Sequence, residues 1–479
     1  MMKKLPLVLE RLIKIFFWWL LLQFFLQTFV TYKLGWADGI WNVIWLWKEI
    51  FILIFLWCVG FWIYDRIKKE GKEKIFSRFH STEVFRFLIT FLAACGLTFL
   101  LAVGIQKVGL WTYILSFKYD LLAFLIFLLG IGLVWLFPLE HIKFHKRYQK
   151  ILKFVIWGGF IWWGIIFLIP NSLRHFGYSA RNFEGSLGTN PPAVYYSQIN
   201  QGFTRNQFLF ERPLGLWFFL TAFRPLFALM YLRFRSRKEQ IRWTLGFWIL
   251  TFSTLSRAAL GVWLLQTAIL ALIIYRKQAK KLIFYIWIPS FIVLLAGLWH
   301  FRGIFTREHS NTGHLVLLEE GIKIWMQNPF FWRWAGYSGP ASHQLCFRSE
   351  DNPRCKLIKE INQKYEISTY GYNPENQYVQ IFMEYGFIGL LPRLFCFLWL
   401  TWVGLKTIKP LLLEMKKGKK ADQKIINQLA LLCAFGLGMF GLALEGFVLH
   451  SFVDRMIVYP FILLYGLSYG SVNKEQNSA

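Results

Sequence analysis

The residues best suited to chemistry lie in the stretch from Asn373 to Gly389, which reads NPENQYVQIFMEYGFIG. Glu375 is a carboxylate able to take a proton from a hydroxyl. Asn376, Gln380 and Glu384 then recur every four residues, which predicts one polar stripe along a helix, with Tyr378, Ile381, Phe382 and Tyr385 lining the apolar side. Asn373 is expected to cap that helix and Pro374 to open it, leaving Glu375 in the first turn, near the positive end of the dipole. Such a helix suits a membrane surface. With Gly386 and Gly389 at the junction with the bilayer, the polar row would stand where lipid meets water and could act on a lipid-borne substrate. Taken alone, the same pattern is also what any well-made helix start shows.

Cations that could complement this carboxylate are few. Ser256-Arg257 interrupts the apolar sequence from Trp243 to Tyr275, which is too long for one membrane span and suits two joined by a tight turn. An Arg at membrane depth costs about 2.5–3.5 kcal/mol on insertion scales, so Arg257 either marks a site or snorkels to water. Arg205 lies in a polar segment ahead of Pro213 and Gly215, with Arg212 as a second candidate. Two guanidinium forks on one face of the membrane would match a diphosphate. His314 either caps a helix or assists a proton transfer. Arg224-Pro225 predicts a kinked helix carrying a costly charge. His141 and His145 are four residues apart but lack a third ligand, so no metal site is expected, and no nucleotide-binding loop or nucleophile elbow is present.

The elements that must position these residues are membrane spans. Of 479 residues, 56% are hydrophobic, with 24 Trp and 50 Phe, which excludes an ordinary soluble protein. The net charge of +28 sits in short clusters between apolar runs, so it points to membrane topology and not to nucleic acid. About 12 runs approach the length of a span. They lie near 13–32, 44–64, 86–106, 120–138, 151–170, 214–233, 243–256, 258–275, 282–300, 387–405, 426–447 and 456–470. The first follows no cleavable signal peptide. Basic residues on alternate loops place both termini in the cytoplasm. Two outward segments are long, 171–212 and 302–376, and the helical spacing from His314 to Gln327 makes the second a partly helical cap. The expected fold is therefore an all-α integral membrane protein. Its parts are an N-terminal bundle (1–301), the cap (302–376) and an interfacial helix with the last spans (377–479). Cys346 and Cys355 flank Asp351-Asn352-Pro353 in the cap, where a disulfide is plausible.

The motif Glu375-Asn376, nine residues, then Gly386-x-x-Gly389 resembles the signature of the O-antigen ligase and polysaccharide polymerase superfamily of membrane glycosyltransferases. In that family a His stands where this chain has Glu375. Ser256-Arg257 between two spans is a further family feature, and the Arg205, Pro213, Gly215 pattern is similar to the family's, with Phe208 where a Gly is usual. Gly313-His314-Leu315, Glu320-Gly321, Asn328-Pro329 and Gly339-Pro340-Ala341 resemble a block of the polymerase-like branch. The resemblance implies an inverting transferase without metal or cofactor, set in the inner or plasma membrane with its active face outside. Its donor would be a glycan on a polyprenyl diphosphate and its acceptor a hydroxyl of a glycan or glycolipid, among membrane lipids. Glu375 would be the base, Arg205 and Arg257 the diphosphate ligands, and Arg212, His314 and Asn376 accessory residues. A transporter or flippase of lipid-linked glycan and a non-catalytic family member are the alternatives.

Overall fold

A computed structural model describes residues 10–16, 18–19, 22, 47–71, 83–105, 107–136, 141–169, 179–180, 193–194, 205–210, 213–232, 235–254, 256–275, 315–319, 321–323, 326, 338, 355–356, 363, 376–418, 422–448, 451 and 455–476. The helices among them are α1 (Trp47–Glu70), α2 (Glu83–Phe99, continued by a π-turn over Leu100–Ile105), α3 (Leu110–Asp120), α4 (Leu122–Leu136) and α5 (His141–Leu168). After them come α6 (Pro213–Met230), α7 (Arg237–Ser253), α8 (Arg257–Ile274), α9 (Gln377–Leu405), α10 (Ile408–Lys416), α11 (Gln423–Glu445) and α12 (Arg455–Gln476). The described residues also include a two-residue parallel pairing of Ser179–Ala180 with Ala193–Val194.

Six of these helical stretches are long and apolar enough to cross a membrane, or seven if the pair Leu110–Asp120 and Leu122–Trp135, bent by 62°, is one span. The protein is thus a helical, multi-pass membrane protein, while the expected count of about 12 spans is not established. The run near 282–300 lies outside the described residues. Leu214–Met230 and Ile457–Val472 are apolar but shorter. One helix, α3, stands where a loop was expected. Its Thr112, Ser116, Lys118 and Asp120 dilute the apolar signal, yet Thr112, Ser116 and Asp120 are buried. On α1, Leu53, Trp57 and Phe61 are exposed while Ile52 and Phe55 are buried, the pattern of a helix with one face toward lipid. Residues 315–319 and 321–323 are helical, as the spacing predicts. Cys355 is disulfide-bonded, and its expected partner Cys346 lies outside the described residues.

The chain divides into two compact units: residues 1–47, 140–311 and 401–442, and residues 48–139, 312–400 and 443–479. In the first, the capping pattern Ser236 to Glu239 opens α7, the Ser236 hydroxyl accepting from Glu239 N at 3.3 Å. The Ser256 break then separates α7 from α8, as the length argument requires. Gln266 on α8, 1% exposed, donates from Nε2 to the Thr221 and Leu437 carbonyls at 3.0 Å each, so one side chain ties α6, α8 and α11. Gly404 and Gly436 let α9 and α11 touch along their backbones, since a Cβ on Gly436 would fall 2.6 Å from Gly404 Cα. Pro225 lies inside α6 and Arg224 does not snorkel. It is buried, donates from Nη2 to the Trp263 carbonyl at 3.0 Å and stacks over the Trp263 ring.

In the second unit α4 and α12 cross closely, because a Cβ on Gly130 would lie 2.7 Å from the Leu463 carbonyl oxygen. Phe87, Phe127, Trp399 and Tyr465 form an aromatic core around this crossing, with Phe87 and Trp399 centroids 4.6 Å apart. Tyr465 finishes its polar end by donating to the Leu400 carbonyl at 2.6 Å.

Candidate functional site

The start of α9 is set by Asn376. Its Oδ1 accepts from the N–H groups of Tyr378 and Val379 at 3.0 Å each, the geometry of an N-cap. Asn376, and not Asn373, is therefore the capping residue of the described helix. A cap whose amide also bonds elsewhere fixes position as well as helicity: Asn376 Nδ2 donates to the Phe447 carbonyl at 2.8 Å, and Gln377 N donates to Gly446 at 2.9 Å. Tyr378 adds a third tie, from its hydroxyl to the Ala443 carbonyl at 2.7 Å. Glu375, one residue before the cap, lies outside the described residues, as do Asn373, Pro374, Arg212 and His314.

The polar stripe exists, but it faces the protein interior and not the membrane surface. Gln380 is 1% exposed and Glu384 0%. Burial is tolerable because the partners are supplied by other elements of the same unit. Glu384 Oε1 accepts from Ser338 N at 3.1 Å, its Oε2 from Ser116 Oγ at 3.1 Å, and Gln380 Nε2 reaches Asp120 Oδ1 at 3.5 Å. Ser116 Oγ is also 3.0 Å from Asp120 Oδ2 and bonded to the Tyr385 hydroxyl.

The two motif glycines have separate physical reasons. Gly386 holds φ 58°, ψ −163°, a conformation essentially closed to residues with a side chain, and so breaks α9 just after Glu384 and Tyr385. Gly389 is needed for space, since a Cβ there would collide with the Tyr385 side chain and lie 3.1 Å from Arg393 Nη1. Arg393 itself is fully buried, donates to the Gly389 carbonyl at 2.9 Å and stacks on the Tyr385 ring, 3.9 Å from its centroid.

Arg205 and Arg257 belong to the first unit, and its geometry brings their segments together. Arg205 Nε donates to the Thr254 carbonyl at 2.9 Å, three residues before Arg257 opens α8. The neighbour holds the segment in place: Asn206 N donates to Ser253 O at 2.8 Å, and its Nδ2 to Gly159 O and Ser253 Oγ at 3.0 Å each. Asn206 Oδ1 accepts from Phe208 N at 3.1 Å, and Phe208 takes φ 49°, so the position where a Gly is usual has the left-handed backbone that Gly favours. Arg257 is exposed at the N-terminus of α8, where Ser256 makes no side-chain cap. A helix N-terminus with a guanidinium on its first residue is a setting for an anion.

Ser116, Asp120, Ser338 and Arg393 were not identified from the sequence. Arg393 carried a usable signal, a charge after Pro392 inside the apolar run 387–405. Asp120 had the same signal in weaker form, at the edge of the run 120–138. Among the described residues no group of three or more His, Cys, Asp or Glu side chains is placed to hold a metal ion. An O-antigen ligase family model matches residues 243–392, which include Ser256-Arg257, the cap Asn376 and both motif glycines. No curated protein and no solved structure matches the chain.

Proposed function

From the O-antigen ligase family model that matches residues 243–392, we propose that the chain is a ligase- or polymerase-like membrane glycosyltransferase that moves a glycan from a polyprenyl diphosphate carrier to a hydroxyl of a glycan or glycolipid acceptor. The observation that carries the donor half of this reading is the seat of Arg205 on Thr254, beside the start of α8 that Arg257 opens. Two planar forks and a helix N-terminus on one leaving diphosphate would offset the charge that develops as the glycosidic bond breaks. Glu375, next to the cap that docks α9, is the proposed base on the acceptor hydroxyl; a positioned base contributes roughly 10²–10⁴-fold. The proposed orientation has both termini in the cytoplasm and this chemistry on the outer face.

Transfer by purified protein in vesicles, with a lipid-linked glycan donor, tests the reading. Glu375→Gln is expected to abolish product while donor binding persists, and Glu375→His to recover part of it. Arg205→Lys and Arg257→Lys are expected to weaken turnover, because a point charge lacks the planar fork. Full transfer by the Gln variant would remove the base assignment. A second reading has its own support. The 62° break after Asp120, the break at Gly386 and the buried charges beside them are features of carriers with discontinuous helices. Glycan flipped across the vesicle without transfer would favour that carrier.

A further inference from the structure

Arg224 is a charge inside the first unit that its surroundings do not match. It is 5% exposed, in the interior of α6, and its partners are neutral: Nη2 donates to the Trp263 carbonyl at 3.0 Å, and the guanidinium lies 5.2 Å from the centroid of the Trp263 ring. The described acids of this unit are Glu10, Glu239, Glu414 and Asp422, and none of them pairs with Arg224. Glu239 faces Arg235, Glu414 holds Lys417, and Asp422 caps the start of α11. A guanidinium cannot shed its proton, and burying it without a counter-charge is costly. Polar atoms next to it are unsatisfied as well. Trp263 Nε1 has no hydrogen-bond partner among the described residues, nor has Oε1 of Gln266, one turn further along α8.

The helix pair gives this charge a direction. Trp263 stands six residues after Arg257, which is about 9 Å along α8. Side chains on a helix lean toward its N-terminus, and the N-terminal end of α6 is the end that continues from the segment 205–210. The guanidinium therefore lies inward of the start of α8 and leans toward the end of the unit where Arg205 meets Thr254. An anion at that start would have a third positive charge within about 10 Å. At an effective dielectric constant of about 20, a charge at that distance changes affinity by about tenfold or more, and a buried charge is screened little by salt.

We propose that Arg224 is a third cation of the donor site, a positioning residue that holds the diphosphate at the start of α8 through its field and not by contact. The proposal rests on the reading of Arg205 and Arg257 as the diphosphate ligands. The fold leaves this charge unmatched because its counter-charge arrives with the donor.

Binding of farnesyl diphosphate to the purified full-length protein in nanodiscs, together with thermal unfolding of the ligand-free protein, tests it. Arg224→Met should bind about tenfold more weakly and yet melt at or above the wild-type temperature, since it removes an unmatched buried charge. Arg224→Gln should bind as weakly as the Met variant, although its amide can still donate to Trp263. Arg224→Lys keeps the charge and loses the fork, and should bind within about threefold of the wild type. A Met variant that melts lower than the wild type would make Arg224 a residue of the fold alone and overturn the proposal. So would a Gln or Met variant that binds like the wild type, or a Lys variant as weak as the Met variant. The donor reading fails separately. If Arg205→Ala and Arg257→Ala both bind like the wild type, the diphosphate does not sit at the start of α8 and both ideas fall; if they lose binding and the neutral Arg224 variants do not, the third cation alone falls.

Discussion

Gly386 carries more of the candidate site than any charged residue beside it, because its backbone conformation turns α9 at the point where Glu384, Tyr385 and Arg393 must face one interior. At φ 58°, ψ −163° a side chain is excluded on steric grounds, and Gly386→Ala should cost about 1–3 kcal/mol. Thermal unfolding of the detergent-solubilised protein would measure it, and a melting temperature equal to wild type would show that α9 can straighten without penalty. Gly389 fails differently. Its neighbours Tyr385 and Arg393 occupy the space of a Cβ, so the clash there is between side chains and leaves the backbone dihedrals unstrained. The spacing of this glycine pair was legible in the sequence. Its reasons were not, since one depends on a dihedral angle and the other on a ring that the bend itself brings near.

At the scale of elements, the segment 205–210 is held against α5 and α7 by Asn206, and this holding keeps Phe208 in a left-handed conformation. Its ring packs on Gly158 and lies near Phe154 and Trp162. Phe208→Gly would relieve about 1–3 kcal/mol of backbone strain but forfeit about 3–5 kcal/mol of buried ring, a net loss. Phe208→Ala forfeits the ring and keeps the strain, so it should unfold at a lower temperature than the Gly variant. The reverse order would show that the backbone is unstrained. Most helices could be read from apolar runs of span length, and the four-residue stripe of α9 from its period. What escaped was the direction of that stripe. Asn376, Gln380 and Glu384 look like a solvent-facing row until Asp120 and Ser116, about 260 residues earlier, are found opposite Gln380 and Glu384. Periodicity reports which residues share a face, and a distant part of the chain decides what that face meets.

For the molecule as a whole, basic loops alternating with apolar runs predict both termini in the cytoplasm. Cysteines introduced by Ser349→Cys and Lys419→Cys, in a background where other accessible thiols are blocked, should react differently with an impermeant reagent added outside intact cells. Labelling at 349 alone is expected, and labelling at 419 alone would invert the topology. The disulfide at Cys355 bears on how the protein is made. A thiol in a reducing cytoplasm pairs only once its segment has left that compartment. Under the proposed orientation, oxidation of Cys355 is a timestamp on export, and the interval between synthesis and thiol loss would report how long the ribosome, the membrane and this stretch of chain take to part.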